Sequence, residues 1–425
     1  MFANTLAPIL ARRGIHYGWV MLALTFLTTL STASVMGVPG VFMTPLKDEF
    51  GWSTADISGP LGLRMALFGL IAPFAAALIQ RHGVRTMVGV SIAMLVAGVA
   101  ISSQMTALWQ LWLSWGLLLG TAAGMTAMVL GATVANRWFT ARRGLAIGLL
   151  TASNATGQLI FMPAAAWLAA HAGWRIALLP SLGMCLFSLA LMLLFGCNHP
   201  ALLNIAPYGQ TALVPLPPRN VHGAVRTSLG ALREGSKSVT FWVLFGTFFV
   251  CGMSTYGIIQ THFIPLCHDF GMEAVAAASV LAMIGAFDFI GTIASGWLSD
   301  RYDNRWLLFW YYGLRGVSLL MLPYSTFSFV GLSMFAVFYG LDWVATVPPT
   351  VRLAGMGFGR EKAPLMFGWI FAGHQLGSAF GATVTGISRD ALSSYLPAFF
   401  VTGLVCLAAA VLIVAVRRPA PVVAA

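Results

Sequence analysis

Charge is what this 425-residue sequence has least of: Asp, Glu, Lys and Arg make up 8% of it, and only 12 residues are acidic. A soluble domain carries about 25% charged residues, so an ordinary water-soluble globule is excluded. Cysteine is also scarce. The five (Cys185, Cys197, Cys251, Cys267 and Cys406) lie in or beside apolar runs without metal-ligand spacing and read as small core fillers. No G-x-x-x-x-G-K-[ST] loop and no His/Cys/acid cluster with metal spacing occurs, so no cofactor, metal or nucleotide is expected and enzyme chemistry has no visible seat. A short leader with a cleavage site is not seen, and the first apolar run is expected to stay as a helix.

What is present is hydrocarbon. The chain is 59% hydrophobic with a mean hydropathy of +0.85. Apolar runs near 16–42, 53–79, 84–103, 107–136, 143–170, 174–196, 238–266, 274–299, 305–323, 326–351, 362–387 and 393–416 can each cross about 30 Å of bilayer core at about 1.5 Å per residue. The expected fold is therefore an all-α membrane protein with twelve transmembrane helices. The net charge of +11 does not call for nucleic acid. With both termini placed in the cytoplasm, only Lys47, Arg175 and Arg389 fall on the external side and Arg64 and Arg315 fall inside helices. The remaining Lys and Arg residues are cytoplasmic, which is the positive-inside pattern of a plasma membrane protein, a bacterial inner membrane being the expected one.

The sequence repeats itself. "PLKDEFGW" at 45–52 returns as "PLCHDFGM" at 265–272, an offset of 220, and the same offset carries Arg81 onto Arg301, Arg85 onto Arg305, Gly148 onto Gly368 and Gly157 onto Gly377. Two six-helix halves in parallel orientation follow, residues 1–198 and 238–425. Residues 199–237, with Pro200, Pro207, Pro215, Pro217 and Pro218, form a cytoplasmic linker expected to act as a tether. Parallel repeats of this kind characterise one class of secondary transporter, with the binding site between the halves.

"GWLSDRYDNR" at 296–305 resembles the loop signature G-x-L-[AS]-D-R-x-[GD]-x-R of the major facilitator superfamily. Its first-half copy "ALIQRHGVRT" at 77–86 keeps Arg81, Gly83 and Arg85 and has Gln80 where the family usually has Asp. "WFTARRGLAIGLLTASNATGQ" at 138–158 resembles the helix 5 signature of the monocarboxylate porter branch, which includes oxalate and formate exchangers, and "HYGW" at 16–19 is similar to that branch's helix 1 entry. The Gly-Pro motif that drug and proton antiporters carry in helix 5 is absent. The resemblance implies alternating access by a monomeric functional unit. It assigns Arg81, Arg85, Asp300, Arg301 and Arg305 to the loop motif, sets helix 2 against helix 11 and helix 5 against helix 8, and so brings Arg64 near His374 and Asn154 near Asp288.

Four polar residues sit deep in the apolar runs. Asp288 is 12 residues from Asp300, Asn154 is 12 from Arg142, His374 is 12 from Lys362 and Arg64 is 17 from Arg81. At about 1.5 Å per residue that is roughly 18 Å for three and 25 Å for Arg64. Ionisable groups at such depth cost about 2.5–3.5 kcal/mol or more and need a partner or a wet cavity. Asp288 has two open roles, ion pair with Arg315 or carrier of a coupling proton, since a carboxyl in apolar surroundings holds its proton until a cation approaches. Arg64 offers the planar fork that clasps a carboxylate, or else a contact between helices. His374 is either a neutral inter-helix hydrogen-bonding group or a substrate donor. Asp342 is level with Arg315, and a structural pair between them is the leading expectation. In animal members of the porter branch an arginine follows the helix 8 acid by four residues; here that place holds Thr292, leaving Arg64 as the cation for a substrate carboxylate. Tyr256 and Gln260, with Thr29 and Thr32, could add neutral contacts, and Pro348 and Pro349 are expected to break helix 10 as a gate hinge. The reading is a secondary transporter of a small organic anion, driven by protons across the lipid bilayer, with efflux of amphipathic compounds as the alternative.

Overall fold

The computed structural model describes residues 2–126, 128–214 and 221–415. Among the described residues twelve helical spans follow one another, eight of the helices being long and apolar enough to cross a membrane: α1 (Gly18–Met36, resuming as Pro39–Phe50), α2 (Thr54–His82), α3 (Val84–Ser103), α4 (Leu108–Leu111, Trp112–Leu119, Gly120–Thr126 and Met128–Trp138), α5 (Arg143–Ala172) and α6 (Trp174–Phe195). The second half has α7 (Val239–Asp269), α8 (Ala274–Ser299), α9 (Asn304–Met321), α10 (Phe329–Asp342), α11 (Val347–Leu392) and α12 (Leu396–Ala415). The start of α1, the end of α12 and the described part of the connection between the halves share one surface, the linker face; the opposite one is the far face. The halves meet where α2 packs on α11, α5 on α8, and the outer end of α1 on the outer end of α7.

The repeat extends from sequence to hydrogen bonds. Arg85 donates to the Leu193 carbonyl at the end of α6, and Arg305 donates to the Ile413 carbonyl at the end of α12, at 3.1 Å through its Nε. Leu193 and Ile413 are themselves 220 apart. Each arginine thus satisfies carbonyls left unpaired in the last helical turn, where positive charge is also favoured by the helix dipole. Gly51 and Gly271, likewise 220 apart, end the paired helices at the far face with φ of +68° and +81°, a conformation that a Cβ penalises. Replacing either arginine by Ala is expected to cost about 1–2 kcal/mol, with Arg85→Ala and Arg305→Ala alike within a factor of two. Thermal unfolding of the purified variants would check this; a large inequality would mean that the two caps are not equivalent.

Two expectations change. Helix 10 does not run to residue 351. It ends at Asp342, residues 343–346 form a turn, and Pro348 and Pro349 lie in the first turn of the next helix, where a missing N–H costs nothing. Helical backbone is then continuous to Leu392, with no gap before the eleventh span. The 199–237 connection is more than a tether. Tyr208 pairs with the 138–140 backbone (N to Trp138 O, 2.8 Å; Thr140 N to its O, 2.9 Å), and a linker helix, Val221–Gly235, packs on both α2 and α11. Trp369 donates its indole N–H to Ser228 O there at 2.9 Å. Pro215, Pro217 and Pro218 lie outside the described residues.

Candidate functional site

Small residues bring α2 and α11 together: a side chain at Gly62 would strike Thr383, one at Gly69 Gln375, and one at Gly386 Ser58. Gly62 and Gly69 face α11. Arg64, two residues on from Gly62, is turned by about 200°, and its backbone lies against Gly120 of α4. The Arg64 side chain is 1% exposed, and neither Nε nor Nη1 has a hydrogen-bond partner. No ion pair reaches it among the described residues. A buried, unpaired guanidinium is strongly unfavourable, and this one is held by close helix packing on both sides.

His374 belongs to a separate aromatic group. Its ring stacks on Phe371 (5.9 Å, 7°) and meets Phe248 at 4.8 Å and Tyr256 at 5.9 Å. Nδ1 of His374 is buried without a partner. Tyr256 lies in a wide-turn segment of α7, Met253–Ile259, and its ring also meets Trp343 at 5.9 Å; such segments are frequent at functional sites. Among the described residues no hydrogen bond or ion pair joins Arg64 to His374, although Phe68, one turn along α2 from Arg64, meets Phe371 beside His374 at 5.9 Å. Gln260 is placed differently: its Nε2 donates to Gly37 O at 2.9 Å, where α1 is interrupted, and so it joins the two halves near the far face. Thr29 and Thr32 bond within the first half, to Ser153 (2.5 Å) and Thr126 (3.3 Å). The backbone of Asn154 is helical within α5, while its side chain lies outside what is described.

Asp288 and Arg315 do not pair with each other. Arg315 Nε donates to Asp342 Oδ2 at 2.8 Å, and its Nη2 to the carbonyls of Asp342 (2.5 Å) and Trp343 (3.2 Å), which the end of α10 leaves free. Its Nη1 lies 2.9 Å from Cys251 Sγ. Asp288, partly buried, accepts at Oδ1 from Thr292 Oγ1 (3.0 Å) and from the Val344 N–H (2.9 Å). Thr292 thus occupies the arginine place of the porter branch with a neutral donor, and Asp288 faces the α10–α11 turn with no cation bonded to it. Below it on α8, Ser295 donates to Ala345 O at 2.5 Å, and at the linker face Asp300 pairs with Arg352. Arg301 stacks over Trp297 at 4.0 Å, and Arg81 is exposed.

One residue that sequence reasoning passes over closes the far face. Asp390, beyond the apolar part of α11, accepts from the backbone N–H groups of Thr54 (3.1 Å) and Ala55 (2.7 Å), capping α2 from the opposite half. Ser53 and Asp56 signal that cap locally as a capping box, but nothing in the sequence points across 335 residues to Asp390. Partial burial alone would push its carboxyl up; the Ala55, Ser53 and Thr54 hydrogen bonds outweigh that and hold it below its ordinary value. With the folded value depressed, the closure is at full strength above about pH 3.9, the unfolded value, and is lost only as pH falls through the folded one. Asp390→Asn is therefore expected to loosen the far face at every pH from 5 to 8. Labelling of a Ser58→Cys reporter by an impermeant maleimide should rise several-fold in that variant; an unchanged rate would remove Asp390 from the closure.

A family model for the Major Facilitator Superfamily matches residues 24–357 and 290–425. The chain is 28% identical over 397 residues to monocarboxylate transporter 13 of Bos taurus, covering 92% of this chain and 87% of that one. It is 25% identical over 392 residues to the MFS-type transporter YcxA of Bacillus subtilis, covering 89% and 90%. Among solved structures, the nucleoside transporter NupG superposes with a TM-score of 0.72 at 12% identity, covering 93% and 99%. A bacterial homologue of the human lysosomal transporter Spinster, inward-facing and unoccupied, superposes at 0.68 and 17%, covering 94% and 95%. At those identities the structures speak for the fold alone.

Proposed function

The chain belongs to the major facilitator superfamily, a multi-pass membrane transporter and not an enzyme, and on that premise we propose that it imports a small organic monoanion, a carboxylate, together with one proton. The observation that carries this reading is Arg64, a guanidinium buried at the 1% level with two N–H-bearing nitrogens that donate to nothing. An incoming carboxylate supplies both the missing charge and the missing acceptors, and charge-assisted bonds to a guanidinium are the strong ones. Relatives bearing the name monocarboxylate transporter support the substrate class.

Asp288 carries the proton in this reading. Arg315 is committed to Asp342, so the cost of a carboxylate inside the membrane is relieved at Asp288 by a proton instead of a cation. His374 and Tyr256 line the path from the second half. Alternating access is the rocking of the halves about their α2–α11 and α5–α8 seams. The asymmetry of Lys and Arg supports cytoplasmic termini and a plasma membrane location.

One monoanion with one proton carries no net charge. Uptake of a labelled monocarboxylate by proteoliposomes should be stimulated several-fold by an inward proton gradient and be indifferent to an imposed membrane potential. Potential-driven uptake without proton stimulation would overturn the symport reading, and proton-driven loss of an amphipathic dye with no carboxylate uptake would replace it by efflux.

A further inference from the structure

Residues 343–346, where α10 gives way to α11, are held from three helices. From α8, Asp288 accepts the Val344 N–H at 2.9 Å and Ser295 donates to Ala345 O at 2.5 Å. From α9, Arg315 donates to the carbonyls of Asp342 and Trp343. From α7, Cys251 Sγ lies 3.2 Å from Thr346 Oγ1, and the Tyr256 ring meets Trp343. The hydroxyl and guanidinium contacts persist whatever the proton does. The Asp288 contact does not: an ionised carboxylate is a strong acceptor, a protonated one a weak acceptor.

We propose that this turn is the coupling element of the transporter: ionised Asp288 clasps the Val344 N–H and holds the turn as it stands here, and protonation of Asp288 releases it. The inference rests on Asp288 as the proton-carrying group and adds what its proton moves. Movement of the turn would reach the substrate path directly, because Trp343 touches Tyr256 and Tyr256 touches His374. A turn with a clasped and a released arrangement is the two-state element that coupling requires.

The other groups around Asp288 are accounted for. Asp342 from α10 and Arg315 from α9 are joined to each other; α9 also brings Tyr311 and Tyr312 to this level, the Tyr312 ring lying 5.8 Å from the Arg315 guanidinium, and Tyr339 of α10 donates its hydroxyl to Ser254 O at 2.9 Å. On α7, Tyr256 lies against Trp343, and His262 is bonded to Ala382 O nearer the far face. On α11, His374 is packed among aromatic rings. The titratable residues of α5, Arg143 and His171, are at its two ends.

Cys251, beside Thr346, is a native reporter of the turn. In a variant with Cys185, Cys197, Cys267 and Cys406 changed to Ala, reconstituted without substrate, the labelling rate of Cys251 by a permeant maleimide is compared at pH 8 and pH 5.5, normalised to the same thiol in detergent-denatured protein. Normalised labelling should be several-fold faster at pH 5.5. Asp288→Asn should be fast at both pH values, and Ser295→Ala should be faster than its parent at pH 8 while keeping the acid step. Equal labelling of the parent at the two pH values, or an acid step that survives Asp288→Asn, overturns the proposal. Carboxylate uptake on the same vesicles separates the two readings: proton-stimulated uptake with pH-independent Cys251 defeats the turn as coupling element and leaves symport standing. An acid step abolished by Asp288→Asn, in vesicles without proton-stimulated uptake, upholds the turn as proton-driven and defeats symport.

Discussion

Arg64→Met should unfold at a higher temperature than the wild type when no substrate is present, and should bind carboxylate about 30-fold to several thousand-fold more weakly. Both effects have one cause. The guanidinium is fully buried with Nε and Nη1 unpartnered, so replacing it by an apolar side chain of similar length removes an uncompensated charge. Replacing even a buried ion pair by apolar side chains is often neutral or stabilising by about 1–4 kcal/mol, and an unpaired charge has no attraction to lose. In the substrate-bound state the same guanidinium is the anion's partner, and truncating one side of a buried, hydrogen-bonded charge pair costs about 2–5 kcal/mol. Arg64→Lys keeps the charge but loses the planar fork, and is expected to recover only part of the affinity. Substrate-dependent shifts of the unfolding temperature read both quantities, since a ligand stabilises the state that binds it. A less stable apo Arg64→Met protein with undiminished ligand shift would make Arg64 a structural residue and remove the anion site.

The second large effect is expected at Arg315. Arg315→Met should cost about 3–5 kcal/mol, because it strands Asp342, a carboxylate 6% exposed, in the membrane interior. The informative variant is the double one, Arg315→Met with Asp342→Leu. Were the interaction only an ion pair, the double replacement would approach wild-type stability. Arg315 also donates to the Asp342 and Trp343 carbonyls, and an orphaned buried acceptor costs about 1–3 kcal/mol. The double variant should therefore remain about 2 kcal/mol or more below wild type. Recovery to wild-type stability in denaturant or thermal unfolding would show that the backbone contacts contribute nothing.

The difference between those two arginines is partly legible in the amino-acid sequence. Asp342 lies level with Arg315 one helix along, and adjacent antiparallel helices place level residues side by side, so depth along the helices is enough to find the pair. Depth also puts Arg64 in the interior, but it does not say which way Arg64 points. One residue along a helix is about 100° of rotation, and the glycines facing α11 stand roughly opposite Arg64. Depth misleads at Gln260 for the same reason: its level is plausible for the substrate path, yet it is turned to Gly37. The end of α10 has a local signal of its own, since Pro348 and Pro349 fit the first turn of a new helix better than the interior of an old one.

The amino-acid sequence by itself determined the membrane class and the all-helical fold, because both depend on composition and run length, and an offset of 220 along one dimension paired positions across the chain. That one offset foretold hydrogen bonds as well, Arg85 and Arg305 capping helices that end 220 residues apart. Only the tertiary structure decided which ionisable group met which partner: Arg315 with Asp342, Asp288 with the Val344 N–H, Asp390 with the start of α2, and Arg64 with no ion-pair partner among the described residues. Those choices depend on the rotation and axial register of helices from separate parts of the chain. Along the sequence, a carboxylate that will be neutralised and one that will be left for a proton look the same.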